Sequence, residues 1–280
     1  MSTRRRIKVS GEPEESSIEK AVELNTVGRT NMEGAPNRLL HSAGNIGRYR
    51  SLCQLSQVFG IAILVMMFYW LNFYRGGFGF SEAKIIFNFH PMLMSIGFIY
   101  LFATSILHFR TFRNEKKNTL KYQHAIIHGF IIVLVLFGSW SAIASHLYAS
   151  PPIPNFYSLH SWMGILTMLM FISQFVGGFV SFLFPGIAGE YRAAVLPYHV
   201  FIGVLTFGLA IATSILGVSE KTIFALDRKY KDLPTEALLS NSLGILIAIY
   251  GGLVVYLVTK PDYKRVPKPE NGVLLTGSLE

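Results

Sequence analysis

Six uninterrupted apolar blocks decide what this 280-residue chain can fold into. They fall near 51–74, 85–109, 123–147, 158–184, 195–217 and 238–259. A helix of about 20 apolar residues crosses a bilayer core of roughly 30 Å, and each block reaches that length. Inside lipid every backbone amide needs a partner within the chain, so apolar runs of this kind cross as helices. The sequence therefore predicts an all-α membrane protein with six transmembrane helices, its partner on every side the lipid bilayer.

Charge orients these helices. The net charge of +9 could serve nucleic acid, but its placement argues against such a partner. Basic residues gather before helix one (Arg4, Arg5, Arg6, Arg48, Arg50), between helices two and three (Arg110, Arg113, Lys116, Lys117, Lys121) and after helix six (Lys260, Lys264, Arg265, Lys268). The linkers after helices one, three and five are close to neutral. An excess of Lys and Arg marks cytoplasmic segments, which places both termini and linkers two and four in the cytoplasm. Residues 1–48 are polar and lack hydrophobic periodicity, so a disordered cytoplasmic tail is expected there. Residues 49–260 form the six-helix domain, and 261–280 a second cytoplasmic tail. The single cysteine, Cys53, rules out an intramolecular disulfide or a CxxC metal site.

Helices two to five each carry a histidine near the N-terminal end: His90, His124, His160 and His199. Successive helices run antiparallel, so those ends alternate between the two membrane faces. His90 and His160 then share the exterior half, and His124 and His199 the cytoplasmic half. The intervals of 34, 36 and 39 residues each match one span plus one linker, which keeps the pairs level. Gly164 and Gly203 follow His160 and His199 by four residues, on the same helical face, and are expected to clear space beside the imidazoles. Zinc would call for three or four ligands at one depth, whereas each level here offers two histidines and almost no acid. Two ligands suffice for haem, whose macrocycle supplies four nitrogens. Such a site between facing helices is a known use of a four-helix bundle. With both axial positions filled, the chemistry left is electron transfer, and two haems at two depths carry electrons across the membrane.

The motifs FNFHP, KYQH, YSLHSWMG and LPYH resemble the four haem-ligand motifs of the cytochrome b561 family. The resemblance covers roughly 50–260. It implies that helices two to five bundle around two b-type haems, held by His90 with His160 and by His124 with His199. It also implies transmembrane electron transfer from cytoplasmic ascorbate to monodehydroascorbate or ferric iron on the other side, by a protein expected to act as a homodimer. The family's ascorbate site matches Lys117, Lys121, Arg192 and Arg110, cations suited to a monoanion. Its acceptor site matches His146, with Asn155 and Tyr157 beside it in the loop before His160. His128, one turn beyond His124, competes with it for the same iron. The alternatives are a haem-binding membrane protein that reduces no acceptor, and a histidine-rich transporter. Transporters place ionisable groups near the midplane on broken helices, while here the helix middles are apolar. Glu270-Asn-Gly-Val-Leu274-Leu275 reads as an acidic-dileucine address and points to an endolysosomal or vesicular membrane.

Overall fold

All six apolar blocks are helices in the computed structural model, which describes residues 45–265. They are α1 (Asn45–Phe73), α2 (Ala83–Thr111), α3 (Lys117–Leu147), α4 (Leu159–Phe182), α5 (Gly189–Leu226) and α6 (Thr235–Thr259). Each is long and apolar enough to cross a membrane. His41 and the rest of 1–44, together with 266–280 and its Leu274 and Leu275, lie outside the described residues. Among the described residues, those from Tyr49 to Arg265 form one compact unit.

The packing follows from where the apolar residues recur. On α6 Ser240, Leu243, Ile247, Tyr250, Val254 and Leu257 are buried, a stripe of three- and four-residue steps. On α1 Cys53, Ile63, Met67 and Trp70 form its counterpart. Both stripes belong to one buried core with Phe98, Ile99, Phe102, Ala103 and Leu107 of α2, and α6 packs chiefly along α5, where Gly251 meets Ile211. The other faces of α1 and α6 show Val58, Val65, Ile245 and Ile249, residues that suit lipid.

Three local features differ from the reading of the sequence. Pro91 does lie in a first helical turn, where its missing N–H is tolerated, but that turn belongs to a segment resumed at Phe89: α2 already starts at Ala83 and is interrupted at Phe87–Asn88. A proline ring crowds the carbonyl four residues back, here that of Phe87, so the break lies where Pro91 demands it. A π-helical segment, Ser95–Leu101, follows. Next, Pro197 was expected near the start of helix five, yet α5 begins at Gly189, continues past Pro197 and reaches Leu226. Its 38 residues take in Glu220 and Lys221, beyond the apolar block that ends near residue 217. Finally, the Arg75–Phe80 turn, whose Gly76, Gly77 and Gly79 suggest flexibility, is anchored. Asn88 Nδ2 donates to the carbonyls of Arg75 (3.0 Å) and Gly77 (2.6 Å), and Arg75 pairs with Glu236 at 2.5 Å. Glu236 also accepts from Trp70 Nε1 at 2.7 Å, which ties the end of α1 to the start of α6. Gly76 and Gly77, with φ of 86° and 78°, give this turn the left-handed backbone it needs.

Candidate functional site

Ser158 opens α4 as a capping box: its side chain accepts from the Ser161 amide while Ser161 Oγ accepts from the Ser158 amide. The Ser-Leu-His-Ser sequence thus fixes His160 in the first turn of the helix. Across the bundle, the break at Phe87–Asn88 sets His90 at the start of the resumed α2. The two rings meet with centres 5.9 Å apart and planes at 85°. At the other end of the bundle the rings of His124 on α3 and His199 on α5 lie 6.5 Å apart at 73°. The structure therefore brings the four histidines together in the pairs that the antiparallel count predicts.

These pairs fit haem. Two imidazoles bonded to one metal from opposite sides, at about 2 Å each, have ring centres roughly 6 Å apart. A histidine ligand is usually oriented through its second ring nitrogen, which donates to a carbonyl or carboxylate. His90 Nδ1 lies 3.1 Å from the Gly138 carbonyl, His160 Nδ1 2.9 Å from that of Thr213, and His124 Nδ1 3.2 Å from that of Ser105. Each contact leaves Nε2 available. Among the described residues no three His, Cys, Asp or Glu side chains gather to hold a bare ion, so a two-ligand macrocycle suits the donor set.

Glycines make room for the rings, although not those the sequence pointed to. A Cβ at Gly217 would stand 2.6 Å from His160 Cε1, and one at Gly178 would stand 2.8 Å from His199 Cε1. Gly164 instead faces Thr213 Cγ2 at 3.7 Å, and no protein side chain or distant backbone lies within 4 Å of a Cβ at Gly203. The imidazoles lean across to the neighbouring helix, so the glycine that admits each ring lies on the partner helix.

His128 is buried one turn inside His124, stacked on Phe171 with centres 5.1 Å apart and planes at 5°. Its Nδ1 lies 2.8 Å from Ser105 Oγ and 3.0 Å from the carbonyl of His124. Phe98, Phe102 and Phe207 join Phe171 in a buried aromatic cluster within the bundle.

A cavity of about 910 Å³ opens at the His90/His160 end. His146, Asn155 and Tyr157 line it, so the structure places all three residues expected for an acceptor site beside this pair. His146 Nδ1 lies 3.0 Å from Asn155 Oδ1, which draws the loop back over the end of α3. At the opposite end Lys121 donates to the Phe182 carbonyl at 3.1 Å, and the Phe182 ring lies 5.3 Å from that of His199. Lys117 and Arg192 are close enough for their charges to act on Lys121. None of the three has a carboxylate within 4.0 Å among the described residues. Arg110 has a different setting, with its guanidinium donating to the carbonyl of Lys260 beyond α6.

Comparison with known proteins agrees with this geometry. Residues 89–225 match the model of the eukaryotic cytochrome b561 family. The chain is 39% identical to the human transmembrane ascorbate-dependent reductase over 219 residues, 78% of this chain and 86% of that protein. It is 35% identical to the human lysosomal membrane ascorbate-dependent ferrireductase, covering 81% of this chain and 94% of the relative. The Xenopus laevis plasma membrane ascorbate-dependent reductase is also 35% identical, with 80% and 79% covered.

Proposed function

This chain belongs to the eukaryotic cytochrome b561 family, and from that premise we propose that it carries electrons across its membrane. They pass from cytoplasmic ascorbate through two b haems to monodehydroascorbate or ferric iron on the opposite side. The family implies b-type haem. One observation carries the two-haem reading: level histidine pairs, 5.9 and 6.5 Å between ring centres, stand at opposite ends of one bundle.

A bound haem supplies one-electron chemistry between ferric and ferrous iron. The rest is done by the chain. His90 with His160, and His124 with His199, would each hold one such group between two imidazoles, an arrangement that suits electron transfer rather than oxygen chemistry. Phe98, Phe102, Phe171 and Phe207, with His128, fill the bundle between the two ends and keep it dry. Lys117, Lys121 and Arg192 offer positive charge beside His199, where they would hold the ascorbate monoanion. At the other end Asn155 fixes the orientation of His146 at the cavity rim, with Tyr157 alongside to meet the acceptor. A homodimer remains part of this reading.

The membrane is proposed to be endolysosomal or vesicular. Relatives of equal identity, 35%, are named for the lysosomal and the plasma membrane, so the address must lie in features outside the shared core, and the Leu274-Leu275 tail is one.

The test is reconstitution into liposomes with ascorbate enclosed on the side of Lys117, Lys121 and Arg192. The expected result is reduction of an external ferric chelate by protein that holds two low-spin haems per chain. A haem ratio near one, or haem that ascorbate reduces without any onward transfer, would refute the proposal.

A further inference from the structure

One cation in the His90/His160 cavity has no part in the roles assigned above. Thr213, Gly217 and Lys221 succeed one another at four-residue intervals and so lie on one face of α5. The first holds His160 through its carbonyl, the second admits the His160 ring, and the third comes one turn further along and lines the same cavity. The Lys221 ammonium stands 4.1 Å from the centre of the Phe87 ring, three residues before His90. It therefore bridges from α5 to α2 beside the paired imidazoles.

The carboxylates around it are differently placed. Glu236 is taken by Arg75 and Trp70, and Glu82 by Lys84 at 2.9 Å. Glu220 lines the cavity, but no carboxylate lies within 4.0 Å of Lys221 among the described residues. A half-buried ammonium in a mostly apolar cavity calls for an opposite charge. The face of Phe87 offsets part of that cost but brings no anion. We propose that Lys221 is the anion-binding residue of this cavity and takes a carboxylate delivered into it.

Two bearers of that chemistry can enter: a haem propionate, or a ferric polycarboxylate chelate acting as acceptor. The choice between them rests on the function proposed above, while the demand for an anion rests on the geometry alone. Lys221→Met keeps the side-chain length and removes the charge, and Lys221→Arg keeps the charge. Both are examined as purified, haem-loaded protein. If a propionate is the partner, Lys221→Met lowers the midpoint potential of one haem and leaves the other unchanged, and Lys221→Arg restores it. If a chelate is the partner, both potentials hold, and the ferric citrate concentration for half-maximal oxidation of the reduced protein rises roughly ten- to a hundredfold. Oxidation by hexaammineruthenium(III), a cation without carboxylates, then stays unchanged.

Wild-type potentials together with wild-type citrate dependence in Lys221→Met would overturn the proposal. So would loss of both haems from Lys221→Met and Lys221→Arg alike, which would make the residue one of packing. The potential titration needs no transmembrane turnover. A protein inert toward external acceptors would thus refute the proposed function while the Lys221 titration still gave its own answer.

Discussion

Gly217→Ala adds one methyl group to α5, and the structure sets what that costs. The new Cβ would stand 2.6 Å from His160 Cε1, 3.0 Å from Nδ1 and 3.2 Å from Nε2. Ordinary carbon contacts fall at about 3.5–4.0 Å, so the ring must withdraw by about 1 Å. As the haem ligand proposed above it would have no slack for that, because metal–ligand distances hold to within about 0.2 Å. The methyl also covers the carbonyl of Thr213, one turn back on the same face, which accepts from His160 Nδ1 at 2.9 Å. Overpacking costs about 1–3 kcal/mol and a lost hydrogen bond about 0.5–1.5 kcal/mol. Together they weaken haem binding at this end on the order of 10- to 2,000-fold. The assay is pyridine haemochrome content with redox-resolved spectra of purified protein. Gly217→Ala should fall toward one haem per chain, with the haem of the His124/His199 pair intact. Gly178→Ala should show the mirror-image loss, since its Cβ would meet His199 Cε1 at 2.8 Å. Gly252→Ala on α6, with nothing within 4 Å, should keep both haems. Two unperturbed haems in Gly217→Ala would refute the reasoning.

Three other outcomes are expected. His124→Ala should lose the haem at its end, while His128→Ala keeps it with a shifted potential; haem staining and potential titration of both variants would expose the reverse assignment. Arg192→Ala should raise the ascorbate concentration for half-maximal reduction by roughly tenfold with haem content unchanged, whereas haem loss would make Arg192 structural. Leu274→Ala with Leu275→Ala should move the protein from internal membranes to the cell surface, and fluorescence imaging that shows no redistribution would remove the tail's role.

What could be read from the sequence was what length and spacing alone decide. Six runs of sufficient length dictate six helices whatever they pack against, and the antiparallel count put His90 with His160 and His124 with His199. Helix ends were harder to read. Hydropathy fades at Lys221, but backbone hydrogen bonding does not, so α5 continues to Leu226 and carries Lys221 on the face of Gly217. Pro197 looked like a helix start because its missing N–H is tolerated there most readily, yet α5 accepts the loss of one hydrogen bond in its interior. The Arg75–Phe80 turn looked loose because its composition says nothing of Asn88 and Glu236, the distant residues that anchor it. His146 was found through the family resemblance and Asn155 and Tyr157 through the stretch before His160; the structure sets His146 in the last turn of α3 and brings the loop with the other two to the same cavity. The role of Arg110 toward Lys260 depends on a contact across 150 residues that no local pattern reveals.

The glycines that admit the imidazoles follow a rule that spacing does contain, once two helices are considered together. Gly178 follows His160 by eighteen residues, and Gly217 follows His199 by eighteen. At 3.6 residues per turn that is five turns, so each histidine and its glycine share a face about 27 Å apart along the axis. Laid antiparallel, α4 and α5 then offer a histidine to a glycine at both ends in one register. The separation is close to the roughly 30 Å of a bilayer core, so a single helix pair sets both the sites and the distance between them. It follows that the register cannot be adjusted at one end alone. A residue inserted between His160 and Gly178 would turn them about 100° out of phase and set both contacts against each other. The i+4 glycines 164 and 203 satisfy no such relation, which is why a reading confined to single helices selected them and missed Gly178 and Gly217.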